Sequence, residues 1–274
     1  MPRRPGNPVV TATACREPFI RFRDVEKSFT TRSGTVSAVE RLSLDIADGE
    51  FLAIVGPSGC GKSTLLMALA GLTQPTAGSI DVGDERVDGP VTSAGIVFQG
   101  AELLSWRTAV ENVLLQAEIR KLDPEASRAR ALRLLSDVGL AAFADHYPDE
   151  LSGGMQQRVA LCRALLHEPR MVLMDEPLGA LDAITRDQVQ MDLQQLWLRS
   201  RSTVVLITHS IEEAVFLADR VVVLTPRPAR IAADIPIELD RPRHIADRGS
   251  DAFRDYVTAI RDEFSRLGVF SDDE

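Results

Sequence analysis

The chain has 274 residues, with 31 Lys and Arg against 40 Asp and Glu, and a formal net charge of −9. That acidic balance argues against the basic face a duplex-binding protein carries, and it gives no electrostatic hold on an anionic membrane. No apolar run reaches the roughly 18 residues that span a bilayer, and Cys15, Cys60 and Cys162 stand at unrelated spacings that indicate neither a disulfide framework nor a zinc site.

Residues 1–17 hold arginines but no apolar core segment, so they are read as a disordered extension and not as a secretory signal. "FIRFRDV" and "LSLDI" alternate apolar and polar residues and predict an antiparallel β piece on the N-terminal side. "FLAIV" (51–55) is a continuous apolar run between Gly49 and Gly56, the pattern of a strand buried on both faces. After the glycine-rich run 56–64, Leu65, Leu66, Leu69 and Leu72 recur at helical spacing. Further buried strands are predicted at "GIVF" (95–98), "MVLM" (171–174), "VVLIT" (204–208) and "RVVVL" (220–224). Helical patterns separate most of them, which predicts an α/β fold with a mainly parallel sheet. Between Phe98 and Met171 the strand signal disappears, and two helical stretches broken by Pro124 and Gly139 predict an inserted helical subdomain at about 100–168. The main domain is placed at 18–230. A C-terminal extension, 231–274, ends in the helical "DAFRDYVTAIRDEFSRL".

"GPSGCGKST" (56–64) follows a strand and opens a helix, the setting of a phosphate-binding loop. Gly56, Gly59 and Gly61, with Pro57 and Cys60 between them, permit the backbone angles that aim the N–H groups of Ser58 to Thr64 into one concavity. The helix start adds about half a positive elementary charge. In loops of this kind the lysine reaches the β- and γ-phosphates and the next hydroxyl binds Mg²⁺, which gives Lys62 and Ser63 those roles. "MVLMDEP" ends a strand in two acids. A solvated strand end explains them when they stand alone, but the upstream loop assigns Asp175 to Mg²⁺ and Glu176 to the attacking water. Ser152, Gly153 and Gly154 precede a helix with Val159, Cys162, Leu165 and Leu166 on one face. An ordinary capped helix start accounts for them in isolation. Beside a loop that already covers one side of the phosphates, they make a second anion-binding terminus. A symmetric dimer resolves the excess, each copy closing over the γ-phosphate held by the other.

In this order the motifs resemble the nucleotide-binding subunit of an ABC (ATP-binding cassette) transporter, with "LSGGM" as the signature, over about residues 19–230. The resemblance implies a P-loop NTPase core. It makes Gln99 the residue sensing γ-phosphate, metal and water, Asp182 part of the "GALD" loop, His209 the switch histidine, and Phe29 the aromatic that stacks on adenine. Met155, Ser210 and Ser105 stand where the family often has Gln, Asp and Pro.

The absence of a membrane span in a cassette implies separate permease subunits, as in bacterial importers, with a solute-binding protein reached only indirectly. The chain is then peripheral, at the cytoplasmic face of the membrane. "GIVFQGAELLSWRTAVENV" and "HSIEEAVFLADRVVVLTPRPARI" are similar to the nitrate, sulfonate and taurine importer branch. The alternative is a soluble ABC-type ATPase acting on nucleic acid or the ribosome. Such relatives usually carry two cassettes, a coiled-coil insert or a basic arm, and none is visible here. Two finer expectations follow. Cys60 is expected to be alkylated with ATP protecting it, unless it is a buried inert thiol. Of Leu103, Leu104 and Trp106, the tryptophan is the better candidate to meet a permease helix.

Overall fold

The computed structural model describes residues 18–32 and 34–269, so the expectation for residues 1–17 lies outside the described residues. Two long strands, β1 (Pro18–Thr31) and β2 (Gly34–Ala47), form an antiparallel pair. They are joined by β4 (Ala77–Val82) and the short β5 (Glu85–Arg86) in a sheet of order β2-β1-β4-β5. The predicted antiparallel piece is therefore larger than its two alternating stretches. Register shifts between Phe22 and Val25, and again before Lys27 and Ser28, break the period of two on which the prediction rested.

The second sheet holds β3 (Phe51–Val55), β6 (Gly95–Val97), β7 (Met171–Asp175), β8 (Thr203–Thr208), β9 (Arg220–Leu224) and β10 (Ile231–Pro236), in the order β10-β9-β3-β8-β7-β6. All pairs are parallel except β10 with β9. The extension assigned from 231 thus begins as an edge strand of this sheet. Side chains alternate across the sheet with the period of two that a strand imposes. Phe51, Ala53 and Val55 join one core with Val172, Leu206 and Val223, while Leu52 and Ile54 join another with Leu173, Ile207 and Val222. The first core faces most of the helices and the second faces the antiparallel sheet and helix α1 (Lys62–Leu69). This two-sided burial is why the strands read as unbroken apolar runs.

Between β6 and β7 lie α2 (Ala109–Arg120), α3 (Pro124–Asp137) and α4 (Gly153–Leu165), where the helical insert was expected. Thr108 and Glu111 form a reciprocal capping box on α2, and Asp123 caps α3 with proline at its first position. Helices α5 (Ala183–Ser200), α6 (Ile211–Leu217) and α7 (Asp251–Arg266) are the remaining α-helices among the described residues. Helix α7 buries Phe253, Val257, Ile260 and Phe264 against the first core.

Arg243 fastens this last segment. It is 2% exposed and donates to the carbonyls of Val215 (2.7 Å), Phe216 (3.1 Å) and Ala218 (2.7 Å) at the end of α6. Gln194 of α5 brackets its backbone, accepting from the Arg243 N–H (2.7 Å) and donating to its carbonyl (2.8 Å). Burial pulls the guanidinium down to about 10, and the carbonyls of an open helix end meet its Nη1 in place of a carboxylate.

Candidate active site

Strand β3 delivers the chain into the loop 56–61, and α1 leaves it. Two glycines are required there by close approach. A Cβ on Gly56 would lie 2.9 Å from Cys60 Sγ, and one on Gly61, at φ +128°, would lie 2.6 Å from the carbonyl oxygen of Ala38. Gly61 is the N-cap of α1 and offers no side chain to the first N–H groups, and no acid stands in the first turn. Those donors remain available to an anion. Lys62 is 5% exposed, and its Nζ donates to the carbonyls of Gly56 (2.8 Å) and Pro57 (3.1 Å). Its ammonium therefore sits inside the loop's curve. Ser58 and Gly59 are exposed at the apex, and Ser63 and Thr64 follow on the first turn of the helix.

Ser63 connects the loop to the next strand but one in the sheet. Its Oγ donates to Asp175 Oδ1 at 3.1 Å, where β7 ends. Partial burial pushes the Asp175 carboxyl up, the Ser63 hydroxyl opposes that shift, and the neighbouring Glu176 adds to it. The next residue, Glu176, holds a left-handed φ of +46°, and its N–H donates to the Ile207 carbonyl (2.9 Å). Strain of this kind in a non-glycine residue persists where the surroundings fix it. It turns the Glu176 side chain toward His209 at the end of β8, with Oε2 3.1 Å from Nδ1. Gln99, beyond β6, reaches the same place. A Cβ on Gly179 would be 3.4 Å from Gln99 Nε2 and 3.8 Å from Glu176 Oε2. Four separate strand ends thus bring Lys62, Ser63, Asp175, Glu176, Gln99 and His209 together.

The other sequence-predicted residues lie outside this cluster's hydrogen bonds. Ser152 caps α4, its Oγ accepting from the Met155 N–H at 3.3 Å. Gly154 is pressed against α5, where a Cβ would fall 2.1 Å from Thr185 Cγ2. Asp182 caps α5 by accepting from the Thr185 N–H (3.0 Å), and the Thr185 hydroxyl, followed by that N–H, holds its carboxyl below the usual range. Phe29 is exposed on β1, with Lys27 Nζ 5.1 Å from its ring centroid. Ser210, in the place of an aspartate, caps α6 through the Glu213 N–H (3.2 Å), so the replacement keeps a good N-cap.

Cys60 falls on the second of its two expected readings, the buried thiol. Its thiol is 1% exposed within the second core, and burial raises it. The side chain is small apolar filler, and only its backbone belongs to the loop. Of the three apolar residues at 103–106, Leu103 packs on the first core and Trp106 is 71% exposed. The loop carrying Trp106 is held from beneath by buried Asn112, which donates to the carbonyls of Leu104 (3.1 Å), Arg107 (3.0 Å) and Thr108 (3.0 Å).

Sequence reasoning missed the residues that fix this frame. Buried Gln157 of α4 donates to the Phe98 carbonyl (3.2 Å), one residue before Gln99. Arg186 donates to the Leu181 carbonyl (2.7 Å) and the Leu178 carbonyl (3.3 Å), shaping the turn after Glu176. A polar residue on the apolar face of a helix is the signal that marks Gln157.

A family model described as ABC transporter matches residues 39–179, just over half of the chain. The chain belongs to the ABC transporter family. It is an ABC ATPase cassette. The taurine import ATP-binding protein of Burkholderia pseudomallei (strain 1710b) is 44% identical over 219 residues, covering 80% of this chain and 84% of that protein. The aliphatic sulfonates import ATP-binding protein of Albidiferax ferrireducens is 45% identical over 238 residues, covering 87% and 81%. Among solved structures, a dimeric post-hydrolysis ATP-binding cassette bound to ADP and Pi superposes with a TM-score of 0.70 at 32% identity, covering 81% of this chain and all of that one. No helix among the described residues of the cassette is long and apolar enough to cross a membrane.

Proposed function

We propose that this cassette is the ATP-hydrolysing subunit of an importer for taurine, another sulfonate, nitrate or a related small solute. It works in pairs, bound to permease subunits at the cytoplasmic face of the membrane, with a solute-binding protein acting through the permease and no role for nucleic acid. The observation that carries the reading is the pairing of Glu176 with His209 at 3.1 Å beside the Ser63–Asp175 contact at 3.1 Å. The two importer relatives support the solute class.

In this reading the N–H groups of Ser58 to Thr64 and the Lys62 ammonium hold the β- and γ-phosphates, and Phe29 stacks on adenine. The Ser63 hydroxyl and Asp175 carboxylate are hard oxygen donors that meet across two strand ends, which fits Mg²⁺, with Gln99 beside them. Mg²⁺, when bound, supplies charge neutralisation on the phosphate oxygens. Glu176 accepts a hydrogen bond from the attacking water and draws its proton, and His209 fixes the carboxylate's orientation through Oε2. Ser152, Gly153 and Gly154 close over the nucleotide of the second copy. The exposed Trp106 meets the permease.

The test is Glu176→Gln. Turnover is expected to fall by ~10²–10⁴ while calorimetry shows ATP still bound, and the variant dimerises with ATP on gel filtration. Near-wild-type hydrolysis would sink the assignment. Trp106→Ala is expected to weaken permease association about thirtyfold in pull-down, with the melting curve of the isolated subunit unchanged. A collapse in melting temperature would show a core role instead.

A further inference from the structure

The segment between β9 and β10 lies in the stretch similar to the importer branch but in none of the nucleotide-binding motifs above, yet it grips the phosphate loop from outside. Arg227 donates from Nε (3.0 Å) and Nη2 (2.7 Å) to one acceptor, the carbonyl oxygen of Gly59. Two residues on, Ala229 stands against Gly61, where a Cβ would lie 3.3 Å from the Ala229 Cβ. The segment is itself anchored. The Ala229 N–H donates to the Ala38 carbonyl (2.9 Å), the Glu40 N–H donates to the Ala229 carbonyl (3.1 Å), and Arg230 pairs with Glu40 (2.8 Å). Thr225 Oγ1 closes the turn on itself, donating to the Pro228 carbonyl (2.9 Å) and accepting from the Arg230 N–H (3.0 Å). Pro226 and Pro228 flank Arg227 and restrict the backbone on either side, so little freedom is lost in presenting the guanidinium.

We propose that Arg227 is a positioning residue for the phosphate loop, acting through the Gly59 carbonyl and not by touching the nucleotide. The loop's exposed apex, Ser58–Gly59, contains glycine at φ +72°, a conformation glycine tolerates without being confined to it. The Gly59 carbonyl and the Cys60 N–H share one planar trans peptide and point in opposite directions. A two-pronged hold on the oxygen therefore also sets the N–H, which closes the loop's turn on the Pro57 carbonyl at 3.2 Å. Releasing that hold lets the loop leave its phosphate-binding shape, and apparent affinity falls by the fraction of time it spends away.

The proposal rests on the reading that this loop holds nucleotide phosphates, and the experiment separates the two. The full-length chain, Arg227→Ala and Arg227→Lys are titrated with ATP and with ADP by calorimetry, and ATPase rates and melting curves are recorded for each. Arg227→Ala is expected to weaken ATP and ADP by the same factor, about fivefold. KM rises in step, while kcat at saturating ATP and the melting temperature stay close to wild type. Arg227→Lys recovers part of the loss, since an ammonium lacks the fixed fork of a guanidinium. Unchanged affinities in Arg227→Ala would overturn the proposal. So would a loss confined to ATP, which would mean direct contact with the third phosphate, or a fall in kcat with KM unmoved. Failure of the wild-type chain to bind either nucleotide would overturn the reading of the loop itself, and the proposal with it.

Discussion

Helices α1 and α4 both begin in glycine-rich sequence, and their first N–H groups meet different fates. At α1 the N-cap is Gly61, no side chain among the described residues caps the start, and a buried lysine stands beside it. At α4 the Ser152 hydroxyl already accepts from the Met155 N–H, and neither helix has an acid in its first turn. An uncapped start has unmet donors waiting for a ligand. A serine-capped start has one of its donors met within its own chain, and its hydroxyl proton remains free to donate elsewhere. The glycines differ in the same sense. Gly61 is required because the α1 start passes the Ala38 carbonyl at a left-handed φ, whereas Gly154 is required because α4 lies flat on Thr185 of α5. Similar residues thus make an uncapped start at one helix and a partly capped start at the other.

That difference can be broken at either end. The largest effect is expected from Lys62→Ala, which removes the cation at the α1 start. Losing a charge-assisted hydrogen bond costs about 1.5–3 kcal/mol, or roughly ten- to 150-fold in ATP affinity. Calorimetric titration checks this, and an unchanged affinity would reject the loop as the phosphate site. Gly154→Ala attacks the other helix by packing alone. Its methyl meets Thr185, so the melting temperature falls with a loss of roughly 1–3 kcal/mol, while ATP affinity at the α1 start holds. A matching fall in affinity would mean the two starts are coupled within one chain. Ser152→Ala is the mildest in stability, at about 1 kcal/mol for a lost cap. It sharpens the comparison most, because ATP binding by the single subunit is expected to stay normal while steady-state hydrolysis drops. Hydrolysis at the wild-type rate would confine the serine to capping.

The contrast also explains what could be read from sequence. The strands of the large sheet are buried on both faces, so "FLAIV" and "RVVVL" announce themselves by composition over five residues each. The loop 56–64 and the acids at 175–176 are contiguous in sequence, and their spacing carries their chemistry. The long strands β1 and β2 were legible only in part because bulges scramble the alternation. The frame around the site was harder still. Arg227, Arg243, Arg186 and Gln157 all act by side chain to backbone carbonyl, across separations of 168 residues in the case of Arg227 and Gly59. Any carbonyl can serve as such a partner, so the pairing leaves no pattern of residue types in the sequence. The burial of Cys60 was equally silent, because the loop's backbone faces the concavity while that one side chain turns into the core.

The position of β3 in the sheet sets when the site can exist during synthesis. Its neighbours are β8 and β9, whose residues lie some 150 or more positions further along the chain, with Phe51 opposite Val204 and Leu52 opposite Arg220. A chain emerging from the ribosome exposes its glycine loop early, but the flanking strands that bury β3 arrive only near the end. The Gly59 tether at 227 and the α6 clamp at 243 follow later still. The frame of the loop is therefore complete only after these later segments have been made.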